Sequence, residues 1–248
     1  MKEYGIIGYP LAQSASPEFF NTKFKSEGID AEYIPFEIES TDMLPEIIGL
    51  HPCLCGFNVT IPHKVNVMQH LAGISDEAKA INAVNVVKVI RDENGKAQLW
   101  GYNSDVIGFS HSIEPLLETH HKKALVLGTG GASKAIIYAL EKLGIEVLQV
   151  SRKASEKAIA YEDITPEIMQ SHTVIVNCTP LGMTGHGIDQ CPDIPYSLID
   201  SSHLLYDIVY NPENTLFLQK GAAQGATTKS GYEMWYLQAL ASWKIWNG

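Results

Sequence analysis

KALVLGTGGASKAIIYALEKLGIEVLQV, Lys123 to Val150, runs from an apolar segment through a glycine-rich turn and a helix-periodic segment into a second apolar segment. Lys123 to Leu127 is near-continuously apolar, the pattern of a parallel strand buried on both faces. The turn Gly128-Thr129-Gly130-Gly131-Ala132-Ser133 follows. Ile136, Ile137, Leu140 and Leu143 then mark one face of a helix that stops at Gly144. Glu146 to Val150 forms the second strand. Strand, helix and strand make a compact βαβ unit, whose crossover is almost always right-handed.

A glycine turn in this context points to a dinucleotide. Gly128 allows the tight turn and Gly130 lets backbone approach a pyrophosphate, held by the free N–H groups and positive dipole end of the helix. The third motif position is Ser133, small enough for close helix–strand packing. The bland alternative is an ordinary glycine-rich turn of an α/β sheet. An NAD site places Asp or Glu about 20 residues further on, to accept hydrogen bonds from the ribose 2′-hydroxyl. Here the second strand ends in Ser151, Arg152 and Lys153, and Glu146 lies at its other end. An Arg pairs with a 2′-phosphate through its planar fork, so the expected cofactor is NADP(H). Otherwise Arg152 and Lys153 only solvate a loop.

Upstream, Tyr4 to Tyr9 reads as a first strand, and Ser14 and Ser16 before Pro17 as the capped start of a helix running to about Glu27. Strands are expected at Ala31 to Ile38 and Gly56 to Thr60, and helices at Met43 to Leu50 and from Lys64 onward. Ala83 to Ile90 and Gln98 to Tyr102 form a strand pair around the turn Asp92-Glu93-Asn94-Gly95. Gly108 to Glu118 reads as a linking helix. Downstream, strands are expected at Thr173 to Asn177 and Leu204 to Ile208, and a helix over Gly231 to Trp246. The alternation of β and α elements predicts an α/β protein with a mixed first sheet.

The 248 residues allow one large domain or two small ones. With 45% apolar and 19% charged residues the chain has ordinary globular composition. Its net charge of -10 argues against nucleic acid or an anionic membrane as partner, since both need a basic footprint. It does not exclude a small anion met by local cations and N–H groups. Lacking a membrane-length apolar run or a signal-peptide core at its start, the chain is expected to be soluble and cytoplasmic. Cys53, Cys55, Cys178 and Cys191 are too few and irregular for a disulfide framework, and without a partner pair C-x-C reads as reduced thiols, so no metal is expected.

In the N-terminal part, Ser14 and Ser16 place two hydroxyls at a helix start, able to bind a carboxylate. Asn58 and Thr60 alternate on a strand, Lys64 follows a Pro-His turn, and Asn85 and Asp105 lie near later strand ends. Alcohol oxidation needs a base for the hydroxyl proton while hydride leaves, and a Lys beside an Asp supplies one. Taken singly, each of these residues also has a structural reading, Ser14 as a cap and Lys64 as a solvated cation.

The whole pattern resembles the shikimate dehydrogenase family. The resemblance is carried by GYPLAQSASP (Gly8 to Pro17), GFNVTIPHK (Gly56 to Lys64), INAVNVV (Ile81 to Val87), GYNSD (Gly101 to Asp105), LGTGGASKA (Leu127 to Ala135), SRK (Ser151 to Lys153), NCTPLGM (Asn177 to Met183), YDIVYNP (Tyr206 to Pro212) and G-x-x-M-x-x-x-Q (Gly231 to Gln238). It implies two α/β domains with a cleft between them: a substrate domain with a mixed sheet over residues 1–104 plus 232–248, and a Rossmann-like NADP-binding domain over 105–231. It implies that Ser14 and Ser16 bind the substrate carboxylate, that Thr60, Asn85, Asp105 and Gln238 meet ring hydroxyls, and that Tyr210 lies near the carboxylate. Lys64 and Asp105 would be the catalytic pair. Gly128, Gly130, Gly131 and Ala132 would cradle the pyrophosphate, Ser151, Arg152 and Lys153 would border the 2′-phosphate with Arg152 holding it, and Thr179, Met183 and Gly231 would line the cofactor cleft. The implied reaction is the reversible NADPH-dependent reduction of 3-dehydroshikimate to shikimate, on the chorismate route to aromatic amino acids, by a monomer or homodimer.

Three departures stand out. Ser-Arg-Lys replaces the usual Asn-Arg-Thr, which keeps the Arg and alters the ribose contacts. Val86 replaces a common Thr, removing a hydroxyl near the ring, and Val106 replaces a Gly, stiffening a loop that bears Asp105. Two rivals stay open: a quinate or broad-specificity quinate/shikimate dehydrogenase, and a non-catalytic NADP-binding sensor. The sensor has no need of Lys64 and Asp105 together.

Overall fold

The computed structural model describes residues 1–11, 14–185 and 187–248. Two compact units divide the chain, Met1–Ser104 with Ala239–Gly248, and Asp105–Gln238.

The first unit is built on a six-stranded mixed sheet. Its strands are β1 (Lys2–Gly8), β2 (Ala31–Glu37), β3 (Leu54–Val59), β4 (Gly73–Ile74), β5 (Val86–Arg91) and β6 (Ala97–Tyr102), in the order β2-β1-β3-β5-β6-β4. β1 runs parallel to β2 and β3, and β5 antiparallel to β3 and β6. Helices α1 (Ser16–Glu27), α2 (Leu44–Leu50) and α3 (Asp76–Ile81) complete it. Side chains alternate across the pleat, so one face buries Tyr4, Ile6, Tyr33 and Val86 with Phe20, Phe24 and Trp246. The other buries Ile7, Phe36, Phe57, Val59 and Val87 with Leu44. Trp246 donates its indole N–H to the Val87 carbonyl at 3.0 Å, so its burial, about 1.5–3 kcal/mol for a large apolar side chain, leaves no orphaned donor.

The sequence misplaces two features here. The helix expected from Lys64 is a short 3₁₀ segment, Asn66–His70, with no side-chain cap at Val65. β-Branched Val65 and Val67 flank Asn66, all weak helix formers. α1 begins at Ser16 with Ala15, rather than a serine, in the cap position and no side-chain cap.

The second unit carries an all-parallel sheet. In chain order it contains α4 (Asp105–Ile113), β7 (Lys123–Leu127), α5 (Gly131–Lys142), β8 (Glu146–Ser151), β9 (Ala158–Ala160), α6 (Pro166–Ser171), β10 (Val174–Asn177), β11 (Leu204–Asp207), α7 (Leu216–Ala223), β12 (Thr227–Lys229) and the start of α8 (Tyr232–Asn247). The strand order is β12-β11-β10-β7-β8-β9, the doubly wound, Rossmann-like arrangement. Its core joins Leu125, Leu127, Val150, Ile175, Leu205 and Phe217. The linking helix starts earlier than its sequence suggests, at Asp105, and gives way to a 3₁₀ turn at Glu114 because Pro115 cannot continue it. Among the described residues no helix is long and apolar enough to cross a membrane.

Between α4 and β7, His121 is buried and accepts the Glu118 N–H on Nδ1 at 2.9 Å, while Nε2 meets the Ser202 carbonyl at 3.3 Å. Burial, helped by neighbouring His120, lowers its pKa. Lowered means that the unfolded chain takes up the proton first. Stability from this group is therefore complete above about pH 6.5 and is lost as pH falls below it. Melting temperature is expected to drop between about pH 7 and 5, with a shallower slope in His121→Gln; equal slopes would assign the acid lability elsewhere.

Candidate active site

In the first sheet the chain leaves β1 for β2 on one side and returns past β1 to β3 on the other, so the carboxyl ends of β1 and β3 flank a topological switch point. Ser14 and Ser16 follow β1, and Thr60 and Lys64 follow β3. Val86 pairs with both Asn58 and Tyr102, which brings the start of β5 to the same sheet end and places Asn85 there. Backbone bonds tie the loops down. Thr60 N–H donates to the Ile7 carbonyl at 2.9 Å, and Val84 N–H to the Lys64 carbonyl at 2.8 Å. Buried His63 donates from Nε2 to the Ile38 carbonyl at 2.7 Å, anchoring the turn beside Lys64.

A buried chain of polar groups runs behind these residues. Tyr33 Oη donates to Asn58 Oδ1 at 2.8 Å, and Asn58 Nδ2 donates to Ser242 Oγ at 2.9 Å and to the Asn85 carbonyl at 3.3 Å. Ser242 Oγ meets Ser104 Oγ at 3.1 Å, and Ser104 N–H donates to Asn85 Oδ1 at 2.7 Å. Burial pushes the Tyr33 phenol well above its ordinary pKa, opposed by the neighbouring Ser16 hydroxyl, so the phenol stays a donor. Breaking such a buried pair costs about 1–3 kcal/mol for the group left unsatisfied. Val86 is fully buried among the aromatic core, so the hydroxyl missing at this position belongs to packing.

The second sheet has its own switch point, between β7 and β10. Gly128 sits at φ +111°, and a Cβ there would stand 3.2 Å from Thr179 Cγ2 and from the Cys178 carbonyl, so the turn after β7 presses on the loop after β10. Gly130 is the opposite case. At φ -75° it could be any residue, and a Cβ built on it meets no protein atom within 4 Å. It lies at the start of α5, which has no side-chain cap, ahead of Gly131 and Ala132. A glycine that the protein itself does not require, at an uncapped helix N-terminus, fits a pyrophosphate cradle. Ser133 donates its hydroxyl to the Gly130 carbonyl at 2.7 Å, and Gln149 donates to the Gly128 carbonyl at 2.8 Å, so the turn is braced from both sides.

Ser151 ends β8, and its hydroxyl bonds the Lys153 carbonyl, closing a turn around exposed Arg152 and Lys153. Glu146, at the other end of the strand, pairs with Lys123 at 3.0 Å. Met183 N–H donates to the Pro180 carbonyl at 3.1 Å, turning the loop after β10. A Cβ on Gly231 would stand 2.2 Å from the Ile208 carbonyl oxygen, so this position needs glycine for the backbone following β11 to pass. Tyr210 stacks on Trp235 with ring centroids 5.3 Å apart and an angle of 22°, and Gln238 donates to the Trp235 carbonyl at 2.9 Å. Asp105 is buried at the first position of α4, and a Cβ on Gly108, one turn on, would lie 3.0 Å from Gln238 Cβ. Asp105 and Val106 thus belong to a helical turn rather than to a loop.

Sequence reasoning missed Tyr33, Ser104 and Ser242 in the first unit and Gln149, Asp207 and Trp235 in the second. A signal existed for Asp207: it closes an otherwise apolar strand, as its register partner Asn177 does.

Residues 6–87 match the family described as shikimate dehydrogenase substrate binding domain. A shikimate dehydrogenase (NADP(+)) of Aquifex aeolicus is 40% identical over 256 residues, spanning 99% of this chain and 91% of that protein. The crystal structure of an Aquifex aeolicus shikimate dehydrogenase matches with TM-score 0.83 and 37% identity, covering 100% of this chain and 93% of the other. A Thermus thermophilus shikimate 5-dehydrogenase, solved with NADP(H) and shikimate, matches with TM-score 0.84 and 28% identity, covering 100% and 94%. This chain belongs to the shikimate dehydrogenase family.

Proposed function

We propose that the protein is an NADPH-dependent shikimate dehydrogenase, reversibly reducing 3-dehydroshikimate to shikimate. Full-length identity of 40% to a protein of that name carries the reading. Residues 1–104 with 232–248 serve the substrate and 105–231 the cofactor. Ser14 and Ser16 hold the carboxylate, with Tyr210 near it; Thr60, Asn85, Asp105 and Gln238 orient the ring hydroxyls. NADPH, when bound, supplies the hydride. Lys64 and Asp105 serve as the catalytic pair, giving the proton to the nascent alkoxide and taking it back in oxidation. Gly128, Gly130, Gly131 and Ala132 receive the pyrophosphate, Ser151, Arg152 and Lys153 the 2′-phosphate end, and Thr179, Met183 and Gly231 the rest of the cofactor. The enzyme works in the cytoplasm as a monomer or homodimer, and its net charge of -10 favours small-molecule ligands over polyanions.

The decisive assay crosses shikimate and quinate with NADP and NAD and follows reduced nicotinamide. Shikimate with NADP is expected to be fastest. Preference for quinate identifies the sister activity, and NADP binding with no turnover identifies a sensor. A second test uses Gly130→Ala, which the backbone and the open space accept. Stability is expected to stay within about 1 kcal/mol of the parent, as alanine's smaller freedom in the unfolded chain offsets its poorer fit at a helix N-cap, while NADP affinity falls about tenfold or more, since the cradle is filled. Unchanged affinity would remove Gly130 from the cofactor site.

A further inference from the structure

Asp207 closes β11 with its side chain completely buried, and its carboxylate has three neutral donors. Asn177 Nδ2 and Val209 N–H reach Oδ1 at 3.0 Å each, and Thr215 Oγ reaches Oδ2 at 2.6 Å. Asn177 and Thr215 lead to the loop after β10, and Val209 to the loop after β11. Asn177 uses its own Oδ1 to accept both the Thr179 N–H, at 3.0 Å, and the Thr179 hydroxyl, at 2.7 Å, and donates to the Leu181 carbonyl. Val209 accepts the Gly231 N–H on its carbonyl at 3.1 Å. Thr215 caps α7 and lies 3.2 Å from where a Cβ on Gly182 would stand, next to Met183.

A buried carboxylate without a cation is costly, and apolar packing would fill the same space more favourably unless the bonds are needed. Desolvation accordingly raises the Asp207 pKa to about 6, against the pull of the three donors. What the bonds do is join three segments through one side chain: the loop of Thr179 and Met183, the loop after β11, and the approach to Gly231.

We infer that Asp207 is a positioning residue for the cofactor, holding Thr179, Met183 and Gly231 in one arrangement through Asn177, Thr215 and the Val209 backbone. The inference rests on the function proposed above. It assigns Asp207 no contact with cofactor or substrate and no proton transfer.

The test is NADPH binding without substrate, read by fluorescence titration, beside the Michaelis constant for shikimate at saturating NADP. Asp207→Ala is expected to weaken NADPH binding about tenfold or more, because several donors lose their acceptor at once. Asp207→Asn should recover to within about threefold of the parent: its Oδ1 still accepts from Asn177 and Val209, and its amide N–H donates to the Thr215 oxygen. Thr215→Val, which removes one bond and keeps the carboxylate, should weaken binding about threefold and decides the case with Asp207→Asn if Asp207→Ala does not fold. The shikimate Michaelis constant at saturating NADP should change less than NADPH dissociation in every variant and stay within about twofold in Thr215→Val, which leaves the Val209 bond beside Tyr210 intact. Parent-like NADPH binding in Asp207→Ala and Thr215→Val overturns the inference, as does a shikimate constant that rises in step with NADPH dissociation, or Asp207→Asn no better than Asp207→Ala. A parent protein that does not bind NADPH overturns the proposed function along with it.

Discussion

Lys64→Ala and Asp105→Ala are each expected to lower kcat by about 10²–10⁴-fold, the range for losing a positioned general acid or base, with little change in NADP affinity. Reducing a ring ketone puts negative charge on oxygen as hydride reaches carbon. An ammonium group relieves it by giving up its proton. Lys64 stands on a loop fixed at three points, by the Thr60 N–H to Ile7, by His63 to Ile38 and by Val84 to the Lys64 carbonyl. Asp105 is held at the first position of α4, a buried site on a regular element. Because the two groups would act as one unit, the double variant should be scarcely slower than either single one. Steady-state kcat for the parent, both single variants and the double variant checks this. Multiplicative losses would mean independent roles, and parent-like turnover in both single variants would reject the pair.

Buried parallel strands were the most legible elements. β7, β10 and β11 fall within a residue of the apolar runs in the sequence, because burial on both faces leaves little room for polar interruption. Six short elements were not read: α3, α6, α7, β4, β9 and β12. The three helices have six to eight residues, too few for a periodic apolar stripe, although each is announced by a capping residue, Ser75, Thr165 or Thr215. Site residues within contiguous motifs were equally legible. What supports them was not, since Asn58 and Ser242 are 184 residues apart and Asn177 and Asp207 are 30 apart. Such pairs exist only once strand order and register are known. Ser14 shows the reverse limit: a Ser-x-Ser-Pro start reads as a cap, yet Ala15 takes the cap position and the helix opens without a side-chain cap.

Arg152→Ala is expected to raise the Michaelis constant for NADP about 10–100-fold, the worth of a hydrogen-bonded charge of about 1.5–3 kcal/mol, and that for NAD by less than about twofold. The 2′-phosphate is the sole difference between the two cofactors, so the ratio isolates one contact. Arg152 follows the end of β8, the strand beside β7, in a turn closed by the Ser151 hydroxyl on the Lys153 carbonyl. That bond gives Ser151 a role the usual Asn would fill differently: it shapes the turn. Arg152 is exposed, and Glu146, the nearest acid upstream, is engaged at the far end of the strand by Lys123. Lys153→Ala should have a smaller effect, because an exposed ammonium is a point charge without the planar fork. Raising the salt concentration should narrow the NADP preference of the parent and leave the variant nearly unaffected, as screening acts on the exposed charge. Equal rises in both Michaelis constants would show that Arg152 serves adenine stacking or the turn itself, and the NADP preference would have to come from elsewhere in the site.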